Sequence, residues 1–245
     1  MVVLALLLSG LSIVFIGGYW HSVSAPNKPN QPLPDFAQFS DAKAKKTAFF
    51  DYMLPFVEQA NSEVLAEREM ILKIDFNRPT TKQQVQLQYL MEKYRVADEQ
   101  INLVTQQKLL KKVDIIAPSL ALAQAANESS WGTSRFAKEA YNFYGQWCFT
   151  EGCGLVPKQR RPGMTHEVKM FDTPYESVKG YMHNLNSHPY FKPLRDQRLQ
   201  ARKNNAQPIG LELVSGLAKY SERKEEYIAD ISAMIRNNNL AAFDH

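Results

Sequence analysis

The chain has 245 residues, enough for one large domain or one domain with an accessory segment. Its 44% hydrophobic and 22% charged content excludes wholesale disorder, a collagen-like repeat and a polytopic membrane protein. The excess of 29 Lys and Arg over 25 Asp and Glu, +4 at pH 7, is too mild to point to nucleic acid.

Residues Met1 to Trp20 contain no Asp, Glu, Lys, Arg or His. At ~1.5 Å per residue this run reaches about 30 Å, the thickness of a bilayer core. Tyr19 and Trp20 stand where an interfacial aromatic belt would be. A retained single-span anchor is the first expectation. A cleaved signal segment is the second: Ser22-Val23-Ser24-Ala25 offers small residues, but Pro26 disfavours a cut there. Both carry the remainder out of the cytoplasm, anchored or secreted. Pro26, Pro29, Pro32 and Pro34 make residues 21–40 an extended linker.

From Asp41 the pattern turns helical, with Phe49, Tyr52, Met53, Phe56, Val57 and Ala60 at three-and-four spacing. Pro55 predicts a kink or a fresh helix start. Thr80 and Gln83 match a capping box ahead of the stripe Leu87, Leu90, Met91 and Tyr94. A further helix is expected from about Asp98 to Lys112. Residues 41–112 thus read as a helical extension, with chemistry left to 113–245. Within that second part, Pro118 to Ser130 is apolar nearly all round, which predicts a buried helix ending near Gly132. Residues 141–170 are turn-rich, with a small hairpin expected near 165–171. Helices return from Tyr175 to about Asn186 and from Glu222 to Asn237. The expected class is α+β, mainly α, with a small β lobe.

No dinucleotide, P-loop or nucleophile-elbow motif is present, so nucleotide and serine-hydrolase chemistry lose their usual support. The five histidines are scattered and no Cys/His group has zinc spacing, so neither a metal nor a cofactor is expected. Glu128 is the strongest candidate for chemistry. A carboxyl at the C-terminal end of a buried helix meets both desolvation and the negative end of the helix dipole, and both raise its pKa. A raised carboxylic acid suits protonation of a glycosidic oxygen. Trp131 offers an apolar wall or a face for a sugar. The bland alternative is an exposed Glu making a cap contact.

The wider string Leu122-Ala123-Gln124-Ala125-Ala126-Asn127-Glu128-Ser129-Ser130-Trp131-Gly132, then Tyr141-Asn142-Phe143-Tyr144-Gly145, resembles the bacterial glucosaminidase family, glycoside hydrolase family 73. Its members typically show A-Q-A-A-x-E-S-x-W-G followed by N-x-F-G, from which Tyr144 is a small departure. Phe171-Asp172-Thr173-Pro174-Tyr175-Glu176-Ser177-Val178 is similar to a later family segment, with Phe171 in place of Tyr. The pieces from Trp147 to Pro157 and from Gly216 to Arg223 are similar to one branch of that family.

The resemblance implies a lysozyme-like catalytic domain that binds peptidoglycan glycan strands and cleaves the β-1,4 bond after N-acetylglucosamine. It implies Glu128 as general acid and Glu167, in the β lobe, as the second carboxylate, with Glu151 as the alternative. Ser187-His188-Pro189-Tyr190 resembles a segment whose Tyr orients water or an N-acetyl group, which makes Tyr190 a third candidate; a packed aromatic is its bland alternative. Substrate contacts are implied at Gln124, Ser129, Trp131, Asn142, Phe143, Tyr144 and Trp147. Without a second carboxylate, a substrate-assisted route through the acetamido oxygen is open.

In an exported chain, Cys148 and Cys153 read as a local disulfide pinning the turn-rich lobe. Lys192, Arg195, Arg198, Arg202 and Lys203 form either a solvated helix face or a contact surface for wall anions. A monomer is expected. Two other readings remain: a lytic transglycosylase, which shares the fold type and can use one Glu, and a non-catalytic wall-binding or scaffold protein with a relict site.

Overall fold

The computed structural model describes residues 32–98 and 100–244, so the expected anchor at 1–20 and most of the linker lie outside the described residues. Among the described residues, no helix is long and apolar enough to cross a membrane.

Helix α1 (Ala42–Lys73) opens on Asp41, whose carboxylate accepts the Ala44 amide at 2.6 Å. It runs unbroken through Pro55, against the expected restart. Phe49, Tyr52, Met53, Phe56 and Val57 are all buried around that proline. Burying this stripe outweighs the single backbone hydrogen bond that proline removes. Helix α2 (Thr81–Lys93) carries the expected capping box, Thr80 with Gln83. Helix α3 (Leu103–Lys112) starts five residues later than expected, because the Asn102 side chain caps it by accepting the Val104 and Thr105 amides.

Helix α4 (Pro118–Glu128) is the buried axis of the molecule, with residues Ser119 to Ala126 all buried. Its N-terminus is closed from far along the chain: Asp244 accepts the Ser119 amide at 2.9 Å and its hydroxyl at 2.6 Å. Around it pack α1, α6 (Pro174–Ser187), α8 (Gly210–Leu213) and α9 (Glu225–Asn237). Helices α5 (Arg135–Ala140) and α7 (Lys192–Lys203) complete the set. The first half of α1 belongs to the same core as α4, α6 and α9. Its last turn joins α2 and α3 in a second cluster that includes Ile71, Phe76, Leu87, Tyr94 and Leu109. The extension and the second part are therefore welded by one continuous helix.

The β lobe is a three-stranded antiparallel sheet of β1 (Trp147–Cys148), β2 (Gly154–Leu155) and β3 (Glu167–Lys169), with β3 in the centre. The hairpin expected near 165–171 is thus replaced by one central strand whose partners come from earlier in the chain.

The basic run on α7 does not present a charged face to wall anions. Arg195 and Arg198 are buried, 3% and 1% exposed. Arg195 donates to the carbonyls of Leu185 and His188, closing the end of α6. Arg198 donates to the carbonyls of Lys111, Lys112, Asp114 and Ile115, at and just beyond the C-terminal end of α3. Arg202 pairs with the Asp114 carboxylate at 2.9 Å. Carbonyls orphaned at two helix ends hold these arginines in the interior.

Candidate active site

Helix α4 delivers Glu128 into a cleft of about 580 Å³ between the helical body and the β lobe. Tyr144, Trp147, His166, Asn184, Lys219 and Tyr220 are among the residues that line it. Glu128 is the sole acidic residue on that wall among the described residues. The chain leaves α4 through Ser130, Trp131 and Gly132, all in the left-handed region. Only glycine serves at the last of them, because a Cβ on Gly132 would meet the Phe36 ring at 2.5 Å. Gly145, also left-handed, faces the Glu128 carboxylate, where a Cβ would stand 3.6 Å from Oε2. The left-handed φ of +64° is what calls for glycine here, since such a Cβ would make only ordinary contact with the carboxylate.

Burial pushes the Glu128 carboxyl above its ordinary pKa, while hydrogen bonds from Tyr227 and Asn127 and the charge of Arg223 pull the other way. Burial wins, so the acid stays protonated to a higher pH than a free glutamate does. The Tyr227 contact is the end of a directed relay. Tyr181 donates to Gln124 Oε1 at 2.6 Å, and Gln124 Nε2 donates to the Tyr227 hydroxyl at 2.8 Å. With its oxygen occupied by Gln124, Tyr227 turns its own proton to Glu128. Tyr227→Phe removes a bond that favours the ionised form. The Glu128 pKa then rises further, and the alkaline limb of the pH–rate profile moves to higher pH. A profile that stays in place would show that Tyr227 does not bear on the acid.

The residues that the sequence resemblance marks sort into cleft wall and scaffold. Tyr144 and Trp147 are on the wall. Gln124, Ser129, Asn142 and Phe143 are not, because their side chains are buried and satisfied inside the protein. Ser129 bridges the Ala125 carbonyl and the Gly132 amide, closing α4. Asn142 donates to the Gln146 and Lys169 carbonyls and so braces the base of the β lobe. Phe143 is core. Trp131 packs against Phe49 and Phe50 of α1, with Lys46 Nζ 5.1 Å from its ring. Tyr190 is 55% exposed and is not on the wall; the wall residue Lys219 places its Nζ 5.0 Å over the Tyr190 ring.

Glu167 does not reach the cleft. Its carboxylate accepts the Gly152 amide at 3.1 Å and the Gly154 amide at 2.8 Å, and these bonds hold its pKa below the ordinary range. Glu151 is exposed on the same loop and is also absent from the wall. Tyr220 lies in the segment similar to one branch of the family but is not among the expected site residues, yet it forms part of the wall. Its hydroxyl donates to the Tyr144 carbonyl at 2.9 Å, and its ring stacks on Tyr227 at 5.5 Å. The repeat of Tyr at 220, before α9, and 227, in its first turn, was the available signal.

Cys148 and Cys153 are joined in a disulfide. With Glu167 they form the group of potential metal ligands found among the described residues, but the sulfurs are bonded to each other. The loop is short, so the chain-entropy contribution is about 2 kcal/mol at most. Replacing both cysteines by Ser should lower Tm by only a few degrees while cutting activity roughly tenfold, because the turn that holds β1 and Glu167 loosens. Equal activity of both forms would remove the disulfide from any role in shaping the cleft. A second groove of about 310 Å³, between α1, α2 and α6, has its lysines already paired, Lys93 with Glu67 and Lys179 with Glu63.

Comparison with known proteins gives this geometry a family. The catalytic domain of the autolysin Auto from Listeria monocytogenes is 18% identical, covering 85% of this chain and 92% of that domain at a TM-score of 0.47. Protein bax of Escherichia coli strain K12 is 28% identical over 215 residues, 87% of this chain and 77% of that protein. The glucosaminidase family, described as mannosyl-glycoprotein endo-beta-N-acetylglucosaminidase, matches residues 104–240, more than half of the chain. That span runs from α3 through Glu128, the β lobe and α9, and on it the chain belongs to the glucosaminidase family of glycoside hydrolases.

Proposed function

We propose that the chain is a peptidoglycan hydrolase that cleaves the β-1,4 bond after N-acetylglucosamine, with Glu128 as general acid. The observation that carries this reading is a desolvated carboxyl opening onto an aromatic-walled cleft, within the span that matches the family. Glu128 gives its proton to the leaving glycosidic oxygen as the bond to C1 breaks. Because Glu167 is tied to turn amides and no other acid lines the cleft among the described residues, the substrate's own acetamido oxygen closes on C1. Water then opens that ring, with the Glu128 carboxylate taking its proton, and the anomeric configuration is retained. In this reading the enzyme acts in the cell envelope, residues 1–20 carry it to the outer side of the inner membrane, and it works as a monomer.

The test is mass spectrometry of purified peptidoglycan digested with the full chain. New reducing N-acetylglucosamine ends support the proposal. Anhydro-muramic ends move the assignment to a lytic transglycosylase. No new ends from a correctly folded chain favour a wall-binding protein with a relict site.

A further inference from the structure

The strand parity of the β lobe turns Glu167 away from the cleft and sets other side chains in its place. In β3, Val168 stands opposite Trp147 of β1 and Leu155 of β2, while Glu167 stands opposite Cys148. Side chains alternate along a strand, so Trp147 and Val168 share the cleft face and Glu167 takes the other. His166 has the parity of Val168, and it too lines the cleft. Its ring lies flat under Trp147, with centroids 3.9 Å apart and planes within 16°.

The two rings differ in exposure. His166 is 8% exposed, and its buried Nδ1 has no hydrogen-bond partner. The stack is therefore what fixes the imidazole, not a polar tether at that atom. Trp147 is 53% exposed although it stands on a cleft wall. One face of its indole is covered by His166, and about half of the residue is left to solvent at the β-lobe side of the cavity that holds Glu128. A two-residue strand gives little backbone support for an exposed indole. The imidazole supplies the missing support.

We propose that His166 is a positioning residue of this cleft: by stacking under Trp147, a substrate contact already implied by the family resemblance, it holds the indole flat against the C–H face of a β-1,4-linked N-acetylhexosamine ring. The proposal rests on the glycan-cleaving reading and names how the β lobe takes part in it. A pyranose ring of equatorial substituents has an apolar face of the right shape for an indole, and the polar groups at its edge remain free for Asn184 and Lys219 on the cleft wall.

The experiment uses the full chain carrying Glu128→Gln, which removes cleavage from the readout, and titration calorimetry with a soluble β-1,4-linked N-acetylglucosamine tetramer. Added Trp147→Ala should weaken binding by about tenfold, and Trp147→Phe by less, since it keeps a smaller plate. Added His166→Ala should weaken binding several-fold, and His166→Phe, which keeps a flat ring and no nitrogen, should restore it to within about twofold. With Glu128 intact, the Trp147→Ala loss should fall mainly on KM rather than kcat. The inference is overturned if Trp147→Ala binds the tetramer as its parent does, or if the parent does not bind it at all. It is overturned for His166 if the Phe variant is as weak as the Ala variant. Failure of the wild type to cut peptidoglycan would count against the proposed function instead, because tetramer binding is read without cleavage.

Discussion

Glu128→Gln is expected to lower kcat/KM on peptidoglycan by about a thousandfold, within the range for loss of a positioned general acid. The amide keeps the shape and the hydrogen bond from Tyr227 but has no proton to give. The same substitution should raise stability at neutral pH, and the sign follows from the direction of the pKa. Burial raises the folded-state value above that of the unfolded chain. Between the two values the folded protein holds a proton that the unfolded chain has released, so stability falls as pH rises through that window. Above the folded value the penalty of a buried carboxylate is fully present. Gln mimics the protonated acid and carries no such penalty. The Tm of Glu128→Gln minus that of the wild type should therefore be near zero at about pH 4 and below, and positive at pH 7. A Tm difference that does not change with pH would mean that Glu128 titrates as an ordinary surface acid. Unchanged cleavage would end its role as the acid.

The burial of Glu128 was legible because its signals are local. An apolar run with no polar face must be buried, and a Glu at its end must share that burial. The Thr80 and Gln83 capping box was legible for the same reason, since cap and partner are three residues apart. The β lobe was not. Strands of two and three residues are too short to show alternation, so nothing in the string said that position 166 faces the cleft and position 167 does not. The motif residues misled in a related way. Gln124 and Asn142 sit beside the acid in sequence motifs, yet they act through hydrogen bonds to Tyr227 and to the Gln146 and Lys169 carbonyls. A motif marks what the site needs, and a buried amide that aims a tyrosine or braces a loop is needed as much as a group that touches sugar.

The basic run on α7 shows the same limit at long range, and it yields the second large effect. Arg198→Met should cost about 3–5 kcal/mol and lower Tm by about 10 °C. Arg198 spans the carbonyls of Lys111, Lys112, Asp114 and Ile115 and the Asn186 side chain, all more than ten residues away. Methionine fills the space but leaves buried acceptors unpaired, and that desolvation dominates the loss. Lysine should recover little, because one ammonium cannot reach acceptors that a planar fork reaches together. Burial pulls the Arg198 pKa down to about 10, so the guanidinium keeps its charge at neutral pH and the loss should be the same at pH 6 and pH 8. The damage is to the joint between α3, α6 and α7 and not to the Glu128 wall, where Arg198 has no place. Below its lowered Tm the variant should therefore cleave within a few-fold of the wild-type rate. A Tm drop under about 3 °C would show that water satisfies those carbonyls once the arginine is gone. Normal stability with lost cleavage would return the basic run to the role of a substrate surface.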